Sequence, residues 1–383
     1  MESKAYSSYD RYYRLVRKTI CRYLVGKASF TGEVIPNDLG PMFILCNHNT
    51  DFDFLLVSSV SETPLDFVAT ETMLRMGAVS KIAARKYKPI LHDKGSSGTG
   101  TLKQIVSRIK DGRSVLLFPE GNRSFDGKTG EFSTAIGKIA KMVGATLVLY
   151  RLDGGYFTTP RWGKSLRKGK MSGKVAAVLS PEELAGIPAE KLQSLIRERL
   201  MTDAYEEQKE NPVPFRSRVK AEYLESLFFI CPECKKTGTL SSKKDTLSCS
   251  CGYKLIMDEY GYLSDDDNVK HTITELFDDQ KKYLAQIKEN SSNEPLWSDQ
   301  LQLSKLTFDH RIVEEKPATL FAFKDHIMIN SEKLCHDQIV SIDIVQRNRL
   351  IIHVNNSDVR YEFTGKETFN AVKYRIWFEI SSS

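Results

Sequence analysis

An α/β fold with a mostly parallel sheet flanked by helices is predicted for the first half of this 383-residue chain, followed by a cysteine-rich ribbon and a small β-rich module. Three observations predict it. Short apolar runs alternate with helical segments before residue 180; four of the seven cysteines fall in two close pairs; and a series of short apolar runs follows residue 300.

The first element is a helix over Tyr6 to Val25. Tyr9, Tyr12, Val16, Ile20 and Tyr23 recur every three or four positions, with Arg11, Arg14, Lys18 and Arg22 on the opposite side. Such a helix suits an anionic membrane surface, with aromatics at head-group level and cations on lipid phosphates, or a place on the surface of its own domain. The runs MFILCNH, PLDFVAT, KPILH, SVLLFPEG, ATLVLYRL and KVAAVLS then read as strands, and GTGTLKQIVSRIKDG and STAIGKIAKMVGA as the helices between them. A further helical stretch opens with Ser180 as N-cap ahead of Pro181 and is broken by NPVPF, Asn211 to Phe215. These signals divide the chain into a first domain over 1–215, a ribbon over 216–262, a helical linker over 263–300 and a β-rich domain over 301–383. The last holds LTFDH, ATLFAF, HIMIN, QIVSIDIVQ, RLIIHVNN and VRYEFT as strands and closes with the helix-like KETFNAVKYRIWFEI, an order that resembles a pleckstrin-homology-like module.

The composition, 41% hydrophobic and 27% charged, is that of an ordinary globular protein. No window reaches the roughly 18 consecutive apolar residues of a membrane span, and the N-terminus lacks the apolar core of a signal peptide. A cytoplasmic protein without disulfides, peripherally associated with membrane, is expected. The net charge of +6 hides an asymmetry: residues 1 to 220 carry 35 Lys+Arg against 23 Asp+Glu, whereas the remainder carries 20 against 26. The basic half would attract lipid head groups, acidic carrier proteins, phosphorylated substrates or nucleic acid.

The stretch CNHNTDFDF places His48 three residues before Asp51 and five before Asp53. A His held by a carboxylate is what a general base requires, since the acid fixes the tautomer and stabilises the imidazolium. Asp51 would meet His48 on a plain helix. Asp53 would do so only across a turn, because five residues span about 140° on a helix of roughly 3.6 residues per turn. The second stretch, LLFPEGNRSFDG, brings Glu120, Gly121 and Arg123 to the end of a buried strand, where sites of open α/β sheets collect. Gly121 lets the backbone approach a ligand, and Arg123 offers a planar fork for a phosphate.

Together the two stretches resemble the glycerolipid acyltransferase family, which includes lysophosphatidic acid acyltransferases. Its H-x-x-x-x-D motif is matched by His48 and Asp53, and its F-P-E-G-[TN]-R-S motif by Phe118, Pro119, Glu120, Gly121, Asn122, Arg123 and Ser124. The resemblance covers roughly residues 25 to 180. It implies His48 as the base and Asp53 as its orienting acid, leaving Asp51 as a cap or first-turn acid of the following helix. It also implies Glu120, Gly121, Asn122 and Arg123 in substrate binding, with Glu120 ordering the Arg123 loop. Lys94, in HDKG, stands where the family carries an Arg for the acceptor's phosphate; Lys keeps the charge and loses the bidentate fork. The substrates implied are a thioester donor, acyl-CoA or acyl carrier protein, and a lysophospholipid acceptor such as lysophosphatidic acid, with another lysolipid or a glycerol phosphate as the alternative acceptor. Tyr150 and Arg151 depart from the family's Pro-containing block. PRWGKSLRKGK, with five basic residues around Trp162, is expected to dock a head-group layer or an acidic carrier protein.

Cys231 and Cys234 in CPEC and Cys249 and Cys251 in CSCGY form two knuckles with 14 residues between them. Four thiolates in two close pairs suit a tetrahedral, closed and therefore structural Zn²⁺ site. A zinc ribbon often binds nucleic acid, but this one lies in the acidic part of the chain, so nucleic acid is not the expected partner. A binding or scaffold protein that acts through the ribbon is the alternative from another functional class.

Overall fold

In a computed structural model covering residues 2–70, 84–92, 98–290, 294–307, 311–355, 357 and 359–382, the chain forms two compact units. One comprises Met1–Arg161 with Ser165–Ser217, the other Trp162–Lys164 with Arg218–Ser383.

In the first unit α1 (Glu2–Val16) passes through a π-helical turn, Arg17–Cys21, into α2 (Arg22–Lys27). This corrects the expected apolar stripe. The π turn advances the register by five residues instead of four, so Cys21 follows Val16 into the core beside Tyr9 and Tyr13, while Ile20 and Tyr23 turn outward. Tyr9 and Tyr13 donate to the Leu65 and Ser58 carbonyls. Arg113 holds Asp10 and Asp66 at 2.8 Å each, an ion cluster that fixes α1 to the sheet.

The sheet follows from the alternating runs: β1 (Phe30–Gly32), β2 (Met42–Cys46), α3 (Asp53–Ser59), β3 (Leu65–Thr70), β4 (Ile90–His92), α4 (Thr99–Lys110), β5 (Ser114–Leu117), α5 (Ile136–Val143), β6 (Thr146–Asp153), α6 (Gly155–Thr158) and β7 (Met171–Leu179). Strand order is β1-β7-β6-β2-β5-β3-β4. The strands β6, β2, β5, β3 and β4 are parallel, while β7 runs antiparallel to β6 and pairs with β1 in parallel. The sheet is therefore mixed, with the expected parallel block at its centre.

Helices on both faces explain why the central strands read as continuous apolar runs and not as alternating ones. Along β2, Ile44 and Cys46 join the core that holds Tyr13, Leu56 and Val57, whereas Phe43 and Leu45 join the core that holds Ile105, Ile136 and Ile196. The helical stretch after β7 is three helices: α7 (Pro181–Gly186), α8 (Ala189–Leu200) and α9 (Ala204–Glu210). The expected Ser180 cap is present as a capping box, the Ser180 hydroxyl accepting from the Glu183 N–H and the Glu183 carboxylate from the Ser180 N–H. Pro188 and the extended residue Met201 interrupt what sequence periodicity ran together.

The second unit contains two antiparallel sheets. The ribbon strands β8 (Leu240–Lys243), β9 (Thr246–Cys249), β10 (Lys254–Met257), β11 (Leu263–Ser264) and β12 (Lys270–His271) lie in the order β12-β11-β10-β9-β8. After α10 (Ile273–Asn290) come β13 (Trp297–Thr307), β14 (Ile312–Ala322), β15 (His326–Ile329), β16 (Glu332–Cys335), β17 (Ile339–Val345), β18 (Arg349–Val354) and β19 (Val359–Thr364), in the order β16-β15-β14-β13-β19-β18-β17. The closing helix α11 (Val372–Ser382) buries Tyr374 and Trp377, and the Trp377 indole donates to the Phe323 carbonyl. Gln280 of α10 accepts from the Phe229 and Ile230 N–H groups and donates to the Leu227 carbonyl, tying the helix to the chain entering the ribbon. Among the described residues no helix is long and apolar enough to cross a membrane.

In PRWGKSLRKGK the structure corrects the place of the Trp, which is not at the surface. Trp162 and Arg167 are buried, and Arg161 lies over the Phe125 ring, so the segment is not centred on an exposed Trp, while Lys164, Lys168 and Lys170 remain exposed. A buried indole and guanidinium are anchored to their own chain and unavailable to a head-group layer.

Candidate active site

Because β2, β5 and β6 are parallel neighbours, the segments that leave them emerge at one edge of the sheet. His48 follows β2, and the Phe118–Ser124 segment follows β5. The chain turns sharply after Asn49, and α3 begins at Asp53. Across this turn His48 Nδ1 and the Asp53 carboxylate lie 3.0 Å apart. Asp53 is fully buried and also accepts from the Asn49 N–H (2.6 Å), the Thr50 N–H (2.8 Å) and the Thr50 hydroxyl (2.6 Å). These donors satisfy a buried charge that would otherwise cost several kcal/mol. The same bonds lock the turn that aims the imidazole.

With Nδ1 held by Asp53, Nε2 is the nitrogen left to take a proton. The His48 side chain is 24% exposed, enough for a substrate hydroxyl to reach it. Its ring stacks on Phe118 at 4.3 Å between centroids and 20° between planes, so an aromatic of the second motif fixes the orientation of a His in the first.

Glu120 links the two motifs through the backbone. Its carboxylate accepts from the His48 N–H at 2.7 Å and from the Gly130 N–H at 3.0 Å. Burial pushes its pKa from the ordinary 4.5 up to about 8, opposed by those two donors. A raised carboxyl pKa gives stability that is complete below 4.5 and lost as pH rises through about 8. The melting temperature is expected to fall by roughly 5 °C or more between pH 6 and pH 9. Glu207, whose carboxyl burial also raises to about 8, titrates in the same window, so the part of the fall that Glu120→Gln removes isolates Glu120. An equal fall in wild type and Glu120→Gln by scanning calorimetry would refute this.

Arg123 and Asp51 are placed together as the sequence did not anticipate. Arg123 Nε lies 3.1 Å from the Asp51 carboxylate, and Arg123 Nη1 donates to the Thr159 carbonyl. Asp51 precedes the N-cap, Phe52, whose side chain makes no cap bond, so the expected role of Asp51 as cap or first-turn acid is corrected: its carboxylate turns to Arg123. Gly121 has φ +65°, a left-handed conformation open to glycine at little cost, and Asn122 is half-buried beside it. Lys94 lies outside the described residues.

Sequence reasoning missed Asn47. Its side chain pairs with the backbone of Leu152 on β6, accepting from the N–H and donating to the carbonyl at 2.7 Å each, and the Asn49 amide donates to the same carbonyl. The signal was present in two Asn flanking His48 directly after an apolar strand, where buried amides must find backbone partners. Tyr150, which stands where the family carries its Pro-containing block, is fully buried and donates to the Glu33 carbonyl. Arg151 pairs with Asp153 and Glu207 at 2.7 and 2.8 Å.

The ribbon brings Cys231, Cys234, Cys249 and Cys251 together, all four Sγ atoms within 4.8 Å of one another. Cys231 and Cys251 are 3.8 Å apart and Cys234 and Cys249 3.7 Å. Disulfides would require about 2.05 Å. A tetrahedron with bonds of about 2.3 Å has edges of about 3.8 Å, so the four thiols fit a metal ion of that size.

The acyltransferase family model matches residues 27–150, the span that holds both motifs. The chain is 27% identical over 161 residues to a chloroplastic 1-acyl-sn-glycerol-3-phosphate acyltransferase of Brassica napus, covering 38% of this chain and 45% of that relative; it thus spans about half the relative's length. Among solved structures, the lysophosphatidic acid acyltransferase PlsC of Thermotoga maritima shares 22% identity over 48% of this chain and 78% of its own, with a TM-score of 0.39. A structure of the Vav1 exchange factor with its PH and C1 domains shares 10% identity over 27% of this chain and 32% of its own, with a TM-score of 0.18. Overlays this loose carry no functional weight. Residues 27–150, which carry His48, Asp53 and the Phe118–Ser124 segment, are a domain of the acyltransferase family.

Proposed function

We propose that this protein transfers a fatty acyl group from acyl-CoA or acyl carrier protein to the hydroxyl of lysophosphatidic acid or a related lysophospholipid, at a membrane surface. The observation that carries this is the His48–Asp53 pair at 3.0 Å, set beside the Arg123 loop at the end of the parallel block of the sheet. His48 Nε2 takes the proton of the acceptor hydroxyl as that oxygen attacks the thioester carbonyl, and Asp53 stabilises the imidazolium. The proton then passes to the leaving thiolate, without a covalent acyl-enzyme. Arg123 binds the acceptor's phosphate through its guanidinium fork. Glu120 is a positioning residue, acting through the His48 backbone.

Labelled acyl-CoA and acyl carrier protein, offered to the purified protein with a panel of lysolipids, test the reading. Transfer to a lysophospholipid supports it, and transfer to none favours a scaffold role. The four thiols of the ribbon are proposed to hold structural Zn²⁺, which would supply cross-linking and no reaction step.

Membrane association has its own support in the outward side of α1, the π turn and α2. Leu15, Ile20 and Tyr23 are 57%, 47% and 62% exposed, and Arg11, Arg14, Lys18 and Arg22 are exposed around them. Apolar side chains interleaved with cations suit insertion among anionic head groups. The protein is expected to sediment with anionic vesicles and to release at high salt, as contacts beyond about 8 Å are screened at physiological ionic strength. Changing Leu15, Ile20 and Tyr23 together to Glu should weaken sedimentation and spare the Tyr9–Tyr13 side. Unaltered sedimentation would leave the helix as a packing element alone.

A further inference from the structure

We infer that Asp51 sets the acceptor preference of this site, by occupying the guanidinium edge of Arg123 that an acceptor's phosphate must take. The inference rests on the reading of Arg123 as the phosphate contact and goes beyond it, because it assigns selectivity to an acid that the catalytic pair does not use.

Three features carry it. The Asp51 carboxylate lies 3.1 Å from Arg123 Nε, where one oxygen of a bound phosphate would lie. The Arg123 side chain is 14% exposed and is also held by the Thr159 carbonyl, so the guanidinium is fixed and its partner is the member that can leave. Asp51 itself is 71% exposed, and it stands on the short turn between His48 and α3, within three residues of the proposed base. An ion pair with so exposed an acid is weak and easily broken. A phosphate, by contrast, can engage the fork through two charge-assisted hydrogen bonds.

Asp51 thus has two effects on an incoming anion. It keeps Arg123 oriented before the acceptor arrives. Once displaced, it remains a tethered negative charge beside the phosphate. Like charges repel in proportion to their product, so the penalty is greatest for a phosphomonoester dianion and roughly half as large for a phosphodiester monoanion. The site therefore discriminates less in favour of a monoester than Arg123 alone would: a monoester acceptor binds well below the affinity the guanidinium could give, and a diester head group, such as that of a lysophosphatidylglycerol, loses less.

The test compares wild type, Asp51→Asn, Arg123→Ala and the double variant. Calorimetric titration of each with glycerol 3-phosphate needs no turnover. Asp51→Asn is expected to bind it about two- to tenfold more tightly, with a smaller gain for glycerophosphoglycerol, and the gain should vanish in the Arg123→Ala background. In acyl transfer the same variant should lower KM for lysophosphatidic acid more than for lysophosphatidylglycerol, with a smaller effect on kcat. If Arg123→Ala weakens glycerol 3-phosphate binding and Asp51→Asn leaves it unchanged or weaker, the inference fails while the reading of Arg123 stands. If Arg123→Ala changes nothing, the reading of Arg123 fails and the inference with it.

Discussion

Replacing His48 with Ala is expected to lower acyl transfer by about 10² to 10⁴ while leaving the fold intact, because a general base contributes on that scale and this side chain is partly exposed. Asp53→Asn should cost turnover on the same scale but should also lower the melting temperature. The Asp53 carboxylate is buried and takes three hydrogen bonds from the turn besides its contact with His48. An amide that presents N–H to N–H at such a place costs about 1 to 3 kcal/mol. Rates measured against melting curves separate the two effects. An active Asp53→Asn protein with a lowered midpoint would make Asp53 a brace of the turn and remove it from the chemistry.

Removing metal from the ribbon is expected to have the largest effect on stability. Purified protein should carry one zinc per chain, absent when Cys231 and Cys234 are both changed to Ser. Binding of Zn²⁺ to sites of this kind is worth about 10 to 16 kcal/mol in peptides, comparable with the stability of a whole domain. The ribbon strands are short, β11 and β12 being two residues each, and the apolar side chains they bury are Leu247, Leu255, Met257 and Leu263 alone among the described residues. Loss of the metal should therefore melt them and release the strap between Gln280 and the Phe229 and Ile230 amides. Elemental analysis with a chelator-induced fall in the melting temperature checks this. Protein made with adequate zinc that contains none would end the assignment.

Much of this was legible in the chain, and what was not has identifiable causes. The strands that hold the site were readable because each is an apolar run buried on both faces, bounded by turn residues. The shift of the N-terminal stripe after Val16 is not legible, since a π turn leaves no mark in the residue types. The break before Ala189 is hidden in the same way, because the apolar spacing continues across Pro188. Among site residues, Glu120 could be assigned to its loop from sequence, but its hold on the His48 amide could not, for that bond joins residues 72 positions apart.

Residue order alone settles the alternation of strands and helices, the pairing of a His with a nearby acid, the second motif and the cysteine spacing. All of these are local, set by residue type and by side-chain periods of two or about 3.6. The choice between Asp51 and Asp53 on geometric grounds needed the folded chain. The strand-to-helix turn puts Asp53 under the imidazole and sends Asp51 outward to Arg123, a residue 72 positions away. That choice depends on β2 and β5 lying side by side in parallel, which sets where two distant loops meet. No local pattern encodes such a meeting, because it is stabilised by the packing of the whole sheet and its helices.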